Sequence, residues 1–177
     1  MDFKRLYHSI RFFLVFDQHK RAEYARKNKL FHYIGDNVRL PASLVPLHSE
    51  LISIHNNVEI ASGVKFVVHD AIHGVLNLKF FGCLEGEFKE KLDCIEVMDN
   101  VFIGANSVIL GGVRIGSNVV IGSNTLVNKD IPDGTVWGGI PARQLGTFDD
   151  FVAKRRLVKC PKDELEAWNL FYQQHHK

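Results

Sequence analysis

The chain is poor in the residues that would assign it to several protein classes. It has three cysteines in 177 residues, Cys83, Cys94 and Cys160. They are odd in number and lie in no metal-like spacing, which argues against a disulfide framework or a thiolate metal site and implies reduced thiols in a cytosolic protein. It also lacks a long apolar run. The most apolar N-terminal stretch, SIRFFLVF at residues 9–16, falls far short of the ~20 residues that span a bilayer and carries Arg11 inside it. No small-residue cleavage site follows it, so neither stable membrane insertion nor a secretory leader is expected. Strong charge of one sign is absent as well. A net charge of +2 selects no particular partner and no nucleic acid.

What charge there is lies unevenly. Residues 1–33 hold eight Lys and Arg against Asp2, Asp17 and Glu23, a local excess of five. This fits a face for anionic lipid or another anionic ligand. The simpler and preferred reading is a solvated helix surface, the ordinary place for Lys and Arg. A hydrophobic content of 46% and a charged content of 24% are those of a globular domain with a real core.

The strongest positive signal is a period of six. Val97, Ile103, Ile109, Ile115, Ile121 and Val127 recur at every sixth position, which matches neither a helix nor a simple strand. Three residues after them stand Asn100, Asn106, Gly112, Asn118, Asn124 and Asp130, types that tolerate left-handed backbone or cap a turn. Four residues after them come small or β-branched side chains, from Val101 to Ile131. A short strand, a tight turn and another short strand therefore repeat. Three such units close a coil of about eighteen residues, and coils stack as a solenoid. This predicts Ile103 on Ile121 and Ile109 on Val127. Turn signals in a β-sandwich recur at about 8–12 residues, so the pattern excludes one.

Ile34, Leu40, Ile54 and Ile60 extend the pattern upstream, with a two-residue slip around PLHSELIS (46–53) that predicts a bulge or loop. Residues 71–94 break the period and read as a loop protruding from a corner. Residues 1 to about 30 read as helical and amphipathic, with Leu6, Ile10, Phe13 and Leu14 near one face, capping the open first coil. Residues 149–176 read as one or two short helices, the first capped by Asp149 or Asp150, with Pro161 before the second.

The run IGANSV–ILGGVR–IGSNVV–IGSNTL–VNKDIP resembles the hexapeptide-repeat acyltransferases, and DIPDGTVWGGIPARQLG resembles the exit segment of their sugar O-acetyltransferases (maltose, galactoside, capsular polysaccharide and streptogramin acetyltransferase-like). The resemblance implies an all-β, left-handed parallel β-helix, a hand opposite to the usual crossover rule. The domain plan is then an N-terminal helical cap (1–33), a β-helix acyltransferase domain (34–147) with the inserted loop 71–94, and a C-terminal helical segment (148–177).

It also implies a cytoplasmic acyltransferase that moves acetyl from acetyl-CoA, without a metal, to a hydroxyl of a sugar or polysaccharide precursor. His69, in IASGVK–FVVHD, matches the family's general base, and His73 is the second choice. Imidazole suits the task because it exchanges a proton near neutral pH. Ala105 matches the position whose backbone amide faces the oxyanion, and with Ser123, Asn128, Lys129 and Arg143 it matches the positions that line the acetyl-CoA groove. Trp137 either covers the adenine or packs beneath the C-terminal helix. The resemblance further implies a homotrimer with active sites between subunits. Other readings are transfer to an amine or an antibiotic hydroxyl, a non-catalytic solenoid scaffold, and a γ-type carbonic anhydrase. Against the last, residues 97–132 contain no histidine to complete a metal site.

Overall fold

A computed structural model describes residues 3–43 and 45–175. The termini of the two predicted helical segments, Met1–Asp2 and His176–Lys177, lie outside the described residues. In chain order the elements are α1 (Phe3–Leu14), α2 (Gln18–Lys27), β1 (Tyr33–Ile34), β2 (Ile52–Ile54), β3 (Val58–Ile60), β4 (Lys65–Val67), β5 (His69–Asp70) and α3 (Ile72–Phe81). There follow β6 (Lys91–Leu92), β7 (Ile95–Val97), β8 (Val101–Ile103), β9 (Val108–Leu110), β10 (Val113–Ile115), β11 (Val119–Ile121) and β12 (Leu126–Val127). The chain closes with β13 (Thr135–Gly138), β14 (Arg143–Thr147), α4 (Phe148–Arg156) and α5 (Glu164–His175).

Successive strands visit three sheets in rotation. The first sheet has the order β1-β2-β7-β10, the second β14-β13-β11-β8-β3 and the third β12-β9-β4. All neighbours are parallel except the β13–β14 pair. The hexad explains this. Its aliphatic residue points inward, and Ile54, Ile60, Val97, Ile103, Ile109, Ile115, Ile121 and Val127 are all buried. Removing each such side chain from water contributes about 1.5–3 kcal/mol. Ile103 pairs with Ile121 and Ile109 with Val127, as the spacing predicts.

Most of the turns are fixed by an asparagine, and Gly63 and Gly112 take the same left-handed position in two others. Asn37, Asn57, Asn100, Asn106, Asn118 and Asn124 hold φ between 52° and 59°, the left-handed region. At one corner they also bond from layer to layer: the Asn37 amide donates to Asn57 Oδ1 (2.7 Å), Asn57 to Asn100 Oδ1 (2.8 Å) and Asn100 to Asn118 Oδ1 (3.0 Å).

That ladder measures both irregularities. A regular coil separates partners by 18 residues, as for Asn100 and Asn118. Asn37 and Asn57 are 20 apart. The two extra residues are taken up in a 3₁₀ turn, Ser49–Leu51, led by His48 at φ 54°, within the segment where the slip was expected. Asn57 and Asn100 are 43 apart, so 25 extra residues leave the coil between β4 and β7.

This insertion is not the structureless loop read from the sequence. It holds the ten-residue helix α3, and its entry and exit pair antiparallel as β5 and β6. Buried Asn77 organises the fold: its Nδ2 donates to the carbonyls of Leu84 and Phe88, and its Oδ1 accepts from the Phe88 amide. One polar side chain inside an apolar helix thus replaces a core the segment is too small to build.

The N-terminus is helical as expected, but the way its apolar side faces departs from expectation. It forms two helices, and α1 turns Leu6, Ile10, Phe13 and Leu14 outward while His8, Ser9 and Phe12 are buried. Arg5 Nε donates to Val45 O (2.8 Å), Ser9 Oγ accepts from the Val45 amide (3.1 Å) and His8 Nδ1 meets Tyr24 Oη (2.8 Å). Buried Arg21 on α2 donates to the carbonyls of Phe12, Val15, Phe16 and Leu40. It thereby satisfies the open C-terminal end of α1 and ties it to the first coil. Arg21→Ala should lower stability by about 2–4 kcal/mol, because four carbonyls lose a charged donor together. A denaturant midpoint unchanged from wild type would refute this.

At the C-terminus the helix cap is Thr147, whose Oγ1 accepts from the Asp150 amide, and not Asp149 or Asp150. Asp150 instead accepts from the Thr147 hydroxyl (2.8 Å), so the two side chains share the cap. Among the described residues no helix is long and apolar enough to cross a membrane. The three cysteines are unpaired and exposed.

Candidate active site

Backbone pairing fixes His69 where the chain leaves the third sheet. Gly111 N donates to Val67 O (2.7 Å) from the coil below, and Asp93 N donates to Val68 O (2.8 Å) from the returning end of the insertion. His69 itself pairs with Leu92. The return passes this close because position 111 is glycine: a Cβ there would sit 2.7 Å from Asp93 Cβ. His69 is therefore mounted on paired backbone on both sides, the rigidity a reacting group needs.

The His69 ring lies half-buried in a small recess with Val68, Asp70, Lys91, Asp93 and Gly111. Its Nδ1 is buried and meets no hydrogen-bond partner among the described residues; the same holds for His73 Nδ1 in the first turn of α3. A buried polar atom left unpaired costs free energy, and sites that bind a ligand are where such atoms persist. Asp70 does not orient the imidazole. Its Oδ1 accepts from the Ile72 amide (3.1 Å) and opens α3. The Lys91 ammonium bonds to Asp93 Oδ2 (2.7 Å), and this hydrogen bond, then the charges of Asp93 and Asp70, raises its pKa above the usual lysine value. Lys91 is thus held as a cation beside the recess.

His48 was not singled out in the sequence. Its ring stands edge-on to His69, with centroids 5.4 Å apart, and its Nδ1 lies 3.3 Å from Glu50 Oε1. The only signal for it was the break of frame around residue 48, which marks an irregular turn and says nothing of what that turn approaches.

The remaining predicted residues fall on different edges of the molecule. Asn128 and Lys129 follow β12 at the turn from the third sheet to the first, the same edge His69 occupies higher up. Ala105 and Ser123 lie at the turn from the second sheet to the third. Arg143 opens β14. Ser123, Asn128, Lys129 and Arg143 are exposed and Ala105 half-buried. Lys129 Nζ lies 5.1 Å from the centre of the Trp137 ring. Trp137 packs as a buried residue, its Nε1 donating to Thr135 Oγ1 (3.0 Å). One copy of the chain therefore does not bring His69 onto the edge that carries Ala105 and Ser123. Nearby Ser107 is a structural residue: buried, its one hydroxyl hydrogen lies between Gly104 O and Gly122 O, and its Oγ accepts from the Thr125 amide.

Known proteins match this architecture. A family model described as "Bacterial transferase hexapeptide (six repeats)" matches residues 95–129. Protein CapG of Staphylococcus aureus is 40% identical over 104 residues, 59% of this chain and 57% of that protein. The chain thus spans little more than half of CapG. Among solved structures, a maltose O-acetyltransferase from Clostridium difficile 630 superposes with a TM-score of 0.57 at 25% identity, covering 81% of this chain and 85% of that one. A galactoside acetyltransferase in complex with coenzyme A superposes with a TM-score of 0.55 at 25% identity, covering 85% and 83%. Residues 95–129 are thus similar to the hexapeptide repeat of bacterial transferases.

Proposed function

We propose that this chain is an acetyl-CoA-dependent O-acetyltransferase acting on a hydroxyl of a sugar or polysaccharide precursor, with His69 as general base. The observation that carries the reading is the half-buried His69 imidazole, its buried Nδ1 without a hydrogen-bond partner among the described residues, held on paired backbone at the mouth of the insertion. The solved relatives include a galactoside acetyltransferase with coenzyme A bound. The left-handed, closed form of the β-helix belongs to this proposal too. It is the form the family resemblance implies, and the rotation of strands through three sheets fits it.

Acetyl-CoA would supply the acetyl group as a thioester. His69 accepts the proton of the acceptor hydroxyl as that oxygen becomes nucleophilic, then passes it to the departing sulfur. The Ala105 amide donates toward the oxyanion that forms. Ser123 and Asn128 offer exposed polar groups to the donor, and Lys129 and Arg143 offer exposed cations to its phosphates. No covalent intermediate on the enzyme is required.

The division of these residues between edges has a simple solution in a homotrimer. The edge of one copy that bears Ala105 and Ser123 would face the His69 edge of the next, and each subunit boundary would hold one site. The test is CoA release from acetyl-CoA with a panel of monosaccharides, nucleotide sugars and streptogramins, alongside light scattering. At least one saccharide should accelerate release above the acceptor-free rate, and the particle mass should be three times the 20.1 kDa chain. A flat panel would sink the activity. A fully active monomer would sink the intersubunit site.

A further inference from the structure

We infer that α1 is an interfacial helix, docking the protein reversibly on an anionic lipid surface with its apolar face inserted. Phe3, Leu6, Tyr7, Ile10, Phe13 and Leu14 recur at spacings of three and four along α1, so they share one side. All six are exposed, with Phe3 at 88% and Leu14 at 65%, and Phe16 just beyond is 93% exposed. A helix placed to cap a core would turn this face inward. The opposite face is committed to the protein, through buried Phe12, the Arg5 and Ser9 bonds to Val45, and Arg21 bonded to the carbonyls at the helix end. The helix cannot roll its apolar side inward without breaking these bonds. The presentation is therefore built in.

Charge selects the occupant. Two other elements expose apolar side chains, α3 (Ile72, Val75, Leu78) and α5 (Leu165, Trp168, Phe171). Around α3, residues 71–94 carry three Lys against four acids, and residues 148–175 balance five basic residues with five acids. Residues 1–33 carry an excess of five positive charges. Arg21 is buried, Arg5 is bonded to Val45 O on the opposite face and Arg26 pairs with Asp36. This leaves Arg11 and the exposed lysines of α2 as free cations on this side of the chain among the described residues. Exposed Arg11 lies at the border of the α1 apolar face. An apolar helical face with a basic residue at its border, here Arg11, matches helices that lie in the headgroup region of anionic membranes. The other two segments carry both signs in near balance and so give anionic lipid no electrostatic preference. The length of α1, 12 residues, is too short to span a bilayer.

The test uses the full chain and sedimentation with phosphatidylcholine vesicles, with and without about one-third phosphatidylglycerol. The wild type should sediment with the anionic vesicles, and about tenfold less tightly with phosphatidylcholine alone or at ~0.5 M salt. The double variant Ile10→Ser, Phe13→Ser should bind at least about thirtyfold more weakly. Arg11→Glu should bind about tenfold more weakly and lose part of the salt dependence. These side chains are exposed, so folding should persist, and unchanged circular dichroism checks it. Wild type left in the supernatant with anionic vesicles overturns the inference. So does a serine variant whose vesicle binding is unchanged, or whose mass by light scattering falls, since the latter would mean a second copy covers this face. CoA release in the vesicle-free assay should be unaffected by either variant, which keeps this inference separable from the proposed activity.

Discussion

Replacing His69 with alanine should lower kcat/KM for acetyl transfer by about 10²–10⁴-fold while leaving the melting temperature close to wild type. The loss follows from the chemistry. A sugar hydroxyl is a weak nucleophile, and without a base its proton must leave to water in the transition state. The lack of a stability cost follows from the structure. The His69 side chain is half-buried, its Nδ1 meets no partner among the described residues, and its place is kept by backbone bonds that alanine retains. Removing an unpaired buried polar atom does not break a bond. His73→Ala is the matched control, since its Nδ1 is equally unpaired but rides on α3. If His73→Ala were inactive and His69→Ala fully active, the base would be His73. If both retained wild-type rates, the general-base mechanism would fail and a scaffold role would gain.

The second large effect concerns two glycines in the same hexad position, one coil apart. Gly104→Ala should destabilise the protein by about 2–3 kcal/mol, because its Cβ would lie 2.5 Å from Ser123 N, 2.6 Å from the Gly122 carbonyl carbon and 2.8 Å from Ile121 O. These are backbone atoms of the next coil. They are held by the Gly104 N to Ile121 O bond (2.8 Å) and by pairing of β8 with β11, so they cannot swing aside. For a chain of this length the melting temperature should fall roughly 5–10 °C. Gly122→Ala, in contrast, should stay within about 1 kcal/mol, since its nearest neighbour would be Trp137 O at 3.5 Å. Neither glycine has the positive φ that would itself demand glycine. The difference is therefore one of stacking distance alone. Equal melting temperatures for the two variants would show that the coils relax around an added methyl group.

The contrast separates what is local from what is not. Both residues read identically as the G of an IG pair, and nothing in the sequence distinguishes them. What lies below each does. Gly104 stacks on another turn of the same kind, whereas below Gly122 the chain enters β13 and β14, where the regular spacing ends.

The candidate site divides in the same way. The break in the period drew notice to His69 and His73, and the family resemblance of IASGVK–FVVHD is what singled out His69 as the proposed base. Its partner ring, His48, was not legible, because the two come together across an irregular turn and 21 positions of chain. The role of Asp70 as the start of α3, and α3 itself, were hidden too. The sequence marks where the period stops, while the helix depends on Asn77 finding the carbonyls of Leu84 and Phe88.

The sequence by itself determined the three-sheet stack, its inward Ile and Val residues, the left-handed asparagine turns and the two-residue slip. Each of these is set by chemistry that repeats within six residues, so a short window contains the whole cause. Only the tertiary structure decided which edges His69, Ala105 and Ser123 occupy, what the insertion becomes and which way α1 faces. The amphipathic pattern of α1 states that Leu6, Ile10 and Phe13 share a side. Arg5, Ser9 and Arg21, reaching carbonyl and amide groups up to 40 residues away, turn that side to the outside. Periodicity tells which residues keep company, and long-range hydrogen bonds choose what they face.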